Sequence, residues 1–267
     1  MTAPAASALR FAYSTINWGT TPDFEATFAG LRDAGWRAVE LFWHELGWMG
    51  PGDRMRGLLG DLQVASLFGA VRLPVDDAQR VRIQNEIAYA AQLGAAHYGL
   101  IGGDRLRWRP PSAAEESSLA RFCEDLADHG VELGVRVAYH PHVACTVETG
   151  EEIDRLLAAT RTLTLCLDAS HIALVGEDPI AHLRKYRERT GYIHLKDWTR
   201  GKFVEMGEGN LGIDFGAILR ELEEMRFPGW VVVEQSRSDV SPLHSARVNA
   251  AFLRQLGYDP GATGLTG

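Results

Sequence analysis

Eight short apolar runs alternate with longer amphipathic segments along the whole chain, and this alternation limits the fold more than any other feature. The runs are Arg10–Ile16, Ala38–Phe42, Gln63–Phe68, His97–Ile101, Val135–Tyr139, Leu163–Leu167, Tyr192–Leu195 and Trp230–Val233. Between them, apolar residues recur every three or four positions, as in Phe24–Ala34, Ala78–Leu93, Ser112–His129, Thr149–Ala159, Pro179–Arg189 and Phe215–Met225. That spacing is helical, whereas continuous apolar runs of four to seven residues suit strands buried on both faces. Helix boundaries agree with this division. Asp23 follows Thr-Pro as an N-cap, Thr149 and Glu152 have the spacing of a capping box, and Gly35, Gly94, Gly130 and Gly134 stand where helices should stop. A βα repeat of this kind predicts a parallel sheet covered by helices, and eight units predict a closed (β/α)8 barrel. The first strand is followed by no GxGxxG, which argues against a dinucleotide-binding sheet.

At 267 residues the chain matches one such barrel, read as a single domain over 1–267 with tails at 1–8 and 259–267. Its 27 basic and 35 acidic residues give a net charge of −8, and no basic run occurs. Nucleic acid is therefore not an expected partner. No stretch approaches the ~20 apolar residues that span a bilayer, so no membrane is expected either. Cys123, Cys145 and Cys166 are odd in number and follow no CxxC spacing, and no secretory signal is apparent. The expected location is the cytoplasm. Assembly as a homo-oligomer stays open.

In a barrel of this type the residues just beyond each strand line the open, functional face. The last four strands end in Tyr139-His140-Pro141-His142, Leu167-Asp168-Ala169-Ser170-His171, His194-Leu195-Lys196-Asp197 and Glu234-Gln235. Each delivers an imidazole or a carboxylate to one rim. Two imidazoles and two carboxylates suit Mn²⁺, Co²⁺, Zn²⁺ or Fe²⁺ better than an all-oxygen ion such as Ca²⁺. One divalent ion is therefore expected, with manganese taken first among the four.

Read in order, these phrases resemble the xylose isomerase-like superfamily of sugar isomerases and epimerases, and within it the inosose dehydratases. The superfamily's LDxxH, HxKD and terminal G-x-v-x-v-E appear here as Leu167–His171, His194–Asp197 and Gly229–Glu234, with Gly207–Phe215 matching the loop before a late helix. Ile16-Asn17-Trp18, and Tyr139–His142 leading into Thr146–Thr149, carry the narrower resemblance. The segment between Asp197 and Gly207 is shorter than in many of the dehydratases. The resemblance implies a metal held by His140, Asp168, His194 and Glu234. His140 stands where most members have a glutamate, and His142 is the alternative ligand if the strand ends two residues later. It implies a lyase that forms an enolate from a small polyhydroxy ketone and eliminates a β-hydroxyl. A ketose isomerase or epimerase of the hydroxypyruvate isomerase or tagatose epimerase kind, and β-eliminating cleavage of oxidised glycosides, share the first half of that chemistry. A non-catalytic barrel subunit is the contrasting reading, and a DNA repair nuclease is disfavoured by the charge.

Further expectations follow for the rim. His142, His171 and Lys196 are candidate proton carriers. Asn17, Trp18, Glu40, Trp43, Arg105, Trp198 and Arg237 lie just beyond or at strand ends and are candidates for holding substrate. Aromatic faces there would pack against the C–H side of a sugar ring.

Overall fold

The computed structural model describes residues 9–42, 44–106 and 109–263. Among them, eight parallel strands close into a barrel: β1 (Arg10–Ser14), β2 (Ala38–Phe42), β3 (Gln63–Val71), β4 (His97–Gly102), β5 (Arg136–Tyr139), β6 (Thr164–Asp168), β7 (Thr190–Leu195) and β10 (Trp230–Val233). Each pairs with the next in sequence, and β10 closes on β1 with Arg10 opposite Trp230. Two three-residue strands, β8 (Asp197–Thr199) and β9 (Lys202–Val204), form a separate antiparallel hairpin on the rim. The helices are α1 (Phe24–Ala34), α2 (Leu46–Met49), α3 (Gly52–Leu59), α4 (Asp77–Gln92), α5 (Ala113–Glu132), α6 (Gly150–Ala158), α7 (Ala169–Leu174), α8 (Pro179–Lys185), α9 (Phe215–Glu224) and α10 (Pro242–Gln255). No helix among the described residues is long and apolar enough to cross a membrane.

The eight expected strands and the fold class are therefore present. Asp23 caps α1 through the Ala26 amide, and Thr149 with Glu152 completes a capping box at α6. Gly35 ends α1 in the left-handed region at φ 102°. Three details differ. Gly130 lies inside α5 rather than ending it, because Leu119, Phe122, Leu126 and Gly130 share the face packed on the barrel. A Cβ on Gly130 would run into the Val135 carbonyl, so closeness and not termination selects the glycine. The segment Pro179–Arg189 is split after Lys185 into α8 and a short 3-10 turn. The tail from 259 is partly pinned: the Ala262 carbonyl accepts from the Phe11 amide at 2.8 Å, at the amino end of β1.

Two apolar clusters divide the work of burial. The larger lies between strands and helices and includes Phe28, Trp36, Leu67, Phe122, Leu126 and Leu219. Each such side chain contributes about 1.5–3 kcal/mol through burial. The smaller fills the barrel itself with Ala12, Ala38, Phe42, Phe68, Ala138, Cys166, Tyr192, Trp230 and Val232. Successive side chains of a strand point to opposite faces. The inward set therefore continues by twos into His140, Asp168, His194 and Glu234.

His97 closes the amino end of this interior, with its ring 5.0 Å from that of Tyr192. Burial, helped by the charges of Arg136 and Arg10, lowers its pKa to about 3. An unfolded histidine titrates near 6.5. Between those values the unfolded chain binds a proton that the fold refuses, so this contribution is complete above pH 6.5 and is lost as pH falls towards 3. Melting temperatures taken from pH 7 to 4 should fall less steeply in His97→Met than in the wild type. Equal slopes would remove His97 from that role.

Candidate metal centre

The barrel interior turns polar at its carboxyl end. Glu40, His140, Asp168, His171, His194, Lys196 and Glu234 are each at most 2% exposed. The strand ends and the turns after them fix how these groups point. Asp168 is both the last residue of β6 and the N-cap of α7. Its Oδ1 accepts from the Ser170 and His171 amides at 2.8 and 3.2 Å, which leaves Oδ2 turned inward. The same helical turn brings His171 Nε2 to 3.9 Å from Asp168 Oδ2. Glu234 Oε1 accepts from Lys196 Nζ at 2.9 Å and from Ser236 Oγ at 2.8 Å, leaving Oε2 facing His194. His194 sits between, with Nδ1 2.8 Å from Glu234 Oε2 and 4.0 Å from Asp168 Oδ2.

Three of the four expected ligands thus converge. Asp168, His194 and Glu234 offer donor atoms that all lie within 4.8 Å of one another. Asp168 Oδ2, His194 Nδ1 and Glu234 Oε2 are buried and complete no hydrogen bond. The Glu40 carboxylate holds the other side of the ring, with Oε2 3.0 Å from His194 Nε2 and accepting from Ser66 Oγ at 2.7 Å. His194 Nε2 faces Glu40 and Nδ1 faces two carboxylate oxygens, so positive charge at that point, a proton on the ring or a bound cation, stabilises the arrangement. When ionised, Glu40, Asp168 and Glu234 outweigh the Lys196 charge by two. The donor set therefore fits a divalent ion.

Electrostatics describe the centre without an ion. Lys196 Nζ bridges the pair, 2.9 Å from Glu234 and 3.2 Å from Asp168, and lies 4.5 Å above the Phe203 ring. Burial opposes its charge, but the two carboxylates raise its pKa. Lys196 is thus held as an ammonium between the two carboxylates. Burial likewise opposes the charged forms of His194 and Glu234. Cys166 and Glu40 nevertheless hold His194 well above the usual range, and Lys196 and His194 hold Glu234 well below it. Burial raises Asp168.

His140 stands apart from the carboxylates. It continues β5, its amide donating to the Leu100 carbonyl, and its Nδ1 lies 3.2 Å from the Cys166 carbonyl. Its donor atom groups with Cys166 and His194, and separately with His142 and His171. The two other imidazoles are close-packed, with His142 and His171 ring centroids 3.6 Å apart. Burial lowers the pKa of His142 to about 4 and that of His171 well below 6.5, so both rings are neutral near pH 7.

The expected substrate-holding residues divide. Asn17 is half-buried and its Oδ1 accepts from the Ser238 amide at 3.0 Å, bracing the first and last strand ends. Trp18 packs edge-on against Tyr13 at 6.1 Å. Trp198 lies on the hairpin, 4.9 Å from Phe203. Arg237 is exposed beyond β10. Glu40 does not face the rim; it is sealed beneath His194. Arg105 is taken up by Glu152, by Glu148 at 3.6 Å and by the Cys145 carbonyl at 3.0 Å, so its guanidinium braces the turn after β5 instead of reaching for substrate. Trp43 lies outside the described residues.

Phe203 was not expected, although its ring roofs the centre, 5.6 Å from His171. The signal was the turn Thr199-Arg200-Gly201-Lys202, in which Arg200 and Gly201 have φ 46° and 88°, the positive pair of a tight hairpin. Asp197 anchors that hairpin by accepting from the Trp198, Gly207 and Gly209 amides. A Cβ on Gly209 would overlap the Asp197 carboxylate, which explains the glycine. Beside the centre, a cavity of about 850 Å³ opens over β2 and β3, lined by His44, Phe68, Arg72 and Gln79 among others. Phe68 joins the two, its ring 5.4 Å from His140 and 5.6 Å from His194.

Comparison with known proteins agrees with this fold. A family model described as "Xylose isomerase-like TIM barrel" matches residues 28–256. The rhizopine catabolism protein MocC of Rhizobium meliloti is 30% identical over 93% of this chain and 88% of its own length. An inosose dehydratase of Geobacillus kaustophilus is 35% identical over 58% of this chain, and the match spans 60% of that protein. Among solved structures, the IolI protein with a bound zinc atom superposes with a TM-score of 0.76 at 16% identity, covering 97% of this chain and all of the other. At that identity the superposition shows a shared fold.

Proposed function

The chain belongs to the xylose isomerase-like TIM-barrel family, and from that membership we propose that it is a metal-dependent lyase of the inosose dehydratase type, acting on a keto-cyclitol or keto-sugar. One observation carries the reading. Three buried candidate ligand atoms, Asp168 Oδ2, His194 Nδ1 and Glu234 Oε2, lie within 4.8 Å of one another, next to neutral imidazoles. Similarity to MocC and to inosose dehydratases supports the substrate class.

Asp168, His194 and Glu234 would hold the ion, with His140 the nearest further imidazole. When bound, a divalent ion supplies Lewis acidity that polarises a ketone and acidifies the neighbouring C–H. His142, neutral and part-exposed, takes that proton, and the C–H electron pair becomes the double bond of an enolate. The β-hydroxyl then leaves with a proton returned by the His142–His171 pair, so that the substrate loses one water. Lys196 remains an ammonium throughout and stabilises the developing negative charge. Phe203 and Trp198 exclude solvent and face the apolar side of the ring.

A manganese-loaded sample incubated with a keto-inositol should develop the ultraviolet absorbance of a conjugated enone. Uptake of solvent deuterium into unchanged or epimerised substrate without that absorbance would replace dehydration by epimerisation. Neither signal across a panel of inososes and ketoses would contradict the substrate class.

A further inference from the structure

Three imidazoles beside the carboxylate centre form a group that the proposed reaction does not require as a unit. His140 and His142 flank Pro141 directly after β5, and His171 lies in α7. One ring nitrogen from each lies within 4.8 Å of the other two. Their centroids are 5.6 Å apart for His140 and His142, 5.5 Å for His140 and His171, and 3.6 Å for His142 and His171.

We propose that His140, His142 and His171 form a second metal site, made of nitrogen donors alone, that takes a zinc-class transition ion next to the carboxylate centre.

The tautomers are arranged for it. His140 Nδ1 lies 3.2 Å from the Cys166 carbonyl and His142 Nδ1 lies 2.6 Å from the Val143 carbonyl. A ring N–H given to a backbone carbonyl fixes the imidazole with its Nε2 lone pair free, which is the usual support of a metal-bound histidine. His171 is 2% exposed, and neither of its nitrogens has a hydrogen-bond partner. A buried imidazole with both nitrogens unsatisfied is costly unless something fills the place. Three imidazoles with an open fourth position are a known zinc ligand set, closing to about 2.0–2.1 Å from the ion.

The two sites differ in chemistry. The carboxylate centre offers two oxygens and one nitrogen and accepts manganese or zinc, whereas three imidazoles select zinc, copper, nickel or cobalt over harder ions. His140 has one free lone pair, and no carboxylate falls in its groups, so it serves the nitrogen site. His171 Nε2 is 3.9 Å from Asp168 Oδ2, which puts the two sites side by side. One consequence rests on the reaction proposed above. The lone pairs that would carry the proton are the ones an ion would occupy, so excess zinc should inhibit the manganese-loaded enzyme.

Metal content separates the possibilities. The full chain, stripped by chelator and reloaded, should retain one equivalent of manganese but two of zinc. The double variant His142→Ala/His171→Ala should retain one equivalent of each. Asp168→Asn/Glu234→Gln should retain no manganese and one zinc. A wild type that holds at most one zinc, or a double histidine variant that still holds two, overturns the proposal. Electron paramagnetic resonance of the copper-loaded wild type needs no substitution: coupling to three nitrogens supports the site, and its absence rejects it. Zinc kept by the carboxylate variant, with no turnover of any ketose by the wild type, would sink the reaction and leave this site standing.

Discussion

Glu234→Gln should yield a folded chain that no longer retains manganese through dialysis and whose kcat/KM is down by on the order of 10²–10³. The size follows from what each oxygen does. Oε1 is held by Lys196 and Ser236, and an amide oxygen can keep both bonds, so the fold has no reason to fail. Oε2 is the atom without a hydrogen bond, 2.8 Å from His194 Nδ1, and an amide nitrogen there offers no lone pair to an ion. The substitution also removes one of the charges that balance a dication. Elemental analysis after gel filtration and a thermal melt check the two halves separately. Wild-type metal content in the variant would move the ion elsewhere.

Lys196→Met has its largest effect on the metal-free protein. The ammonium is buried between Asp168 and Glu234, and removing one member of a buried pair strands the charges that remain, at a cost of about 3–5 kcal/mol. A divalent ion held by these carboxylates would take the same electrostatic role, and a ligand that binds only the folded state stabilises it by mass action. Urea melts of the variant should show a large loss without metal and a recovery on saturation well beyond the wild type's gain. Turnover should fall as well, since the enolate loses its fixed positive neighbour. Equal metal-dependent gains in both proteins would mean that Lys196 and the ion do not share a site.

The barrel was legible because parallel strands buried on both faces read as unbroken apolar runs, and β2 and β10 begin and end where their runs do. Capping chemistry located α1 and α6 for the same reason: Asp23 and Thr149 act on amides three residues away. The same continuity hides orientation. All five residues of β2 are buried, so no polar alternation tells that Glu40 points inward beneath His194, and the pairing with β3 shifts register at Val39/Glu40. Arg105 looked free because its partner Glu152 lies 47 residues further on. The hairpin bearing Phe203 escaped because three-residue strands carry no periodicity.

For the site, strand-end position brought Asp168, His194 and Glu234 to one rim, since a period of two carries Cys166, Tyr192 and Val232 into them, and the family resemblance singled them out among their neighbours. It could not divide the imidazoles. Whether His140 faces the carboxylates or His142 and His171 depends on strand stagger and on the Cys166 carbonyl, neither of which leaves a mark in the residue order.

Diffraction from crystals soaked in zinc, with anomalous data at the zinc edge, addresses the carboxylate centre directly. An ion should refine about 2.0–2.2 Å from Asp168 Oδ2, His194 Nδ1 and Glu234 Oε2, with Lys196 Nζ moved off the pair. A map with no peak there, and the ammonium still wedged between the two carboxylates, would contradict a metal-dependent enzyme built on these residues.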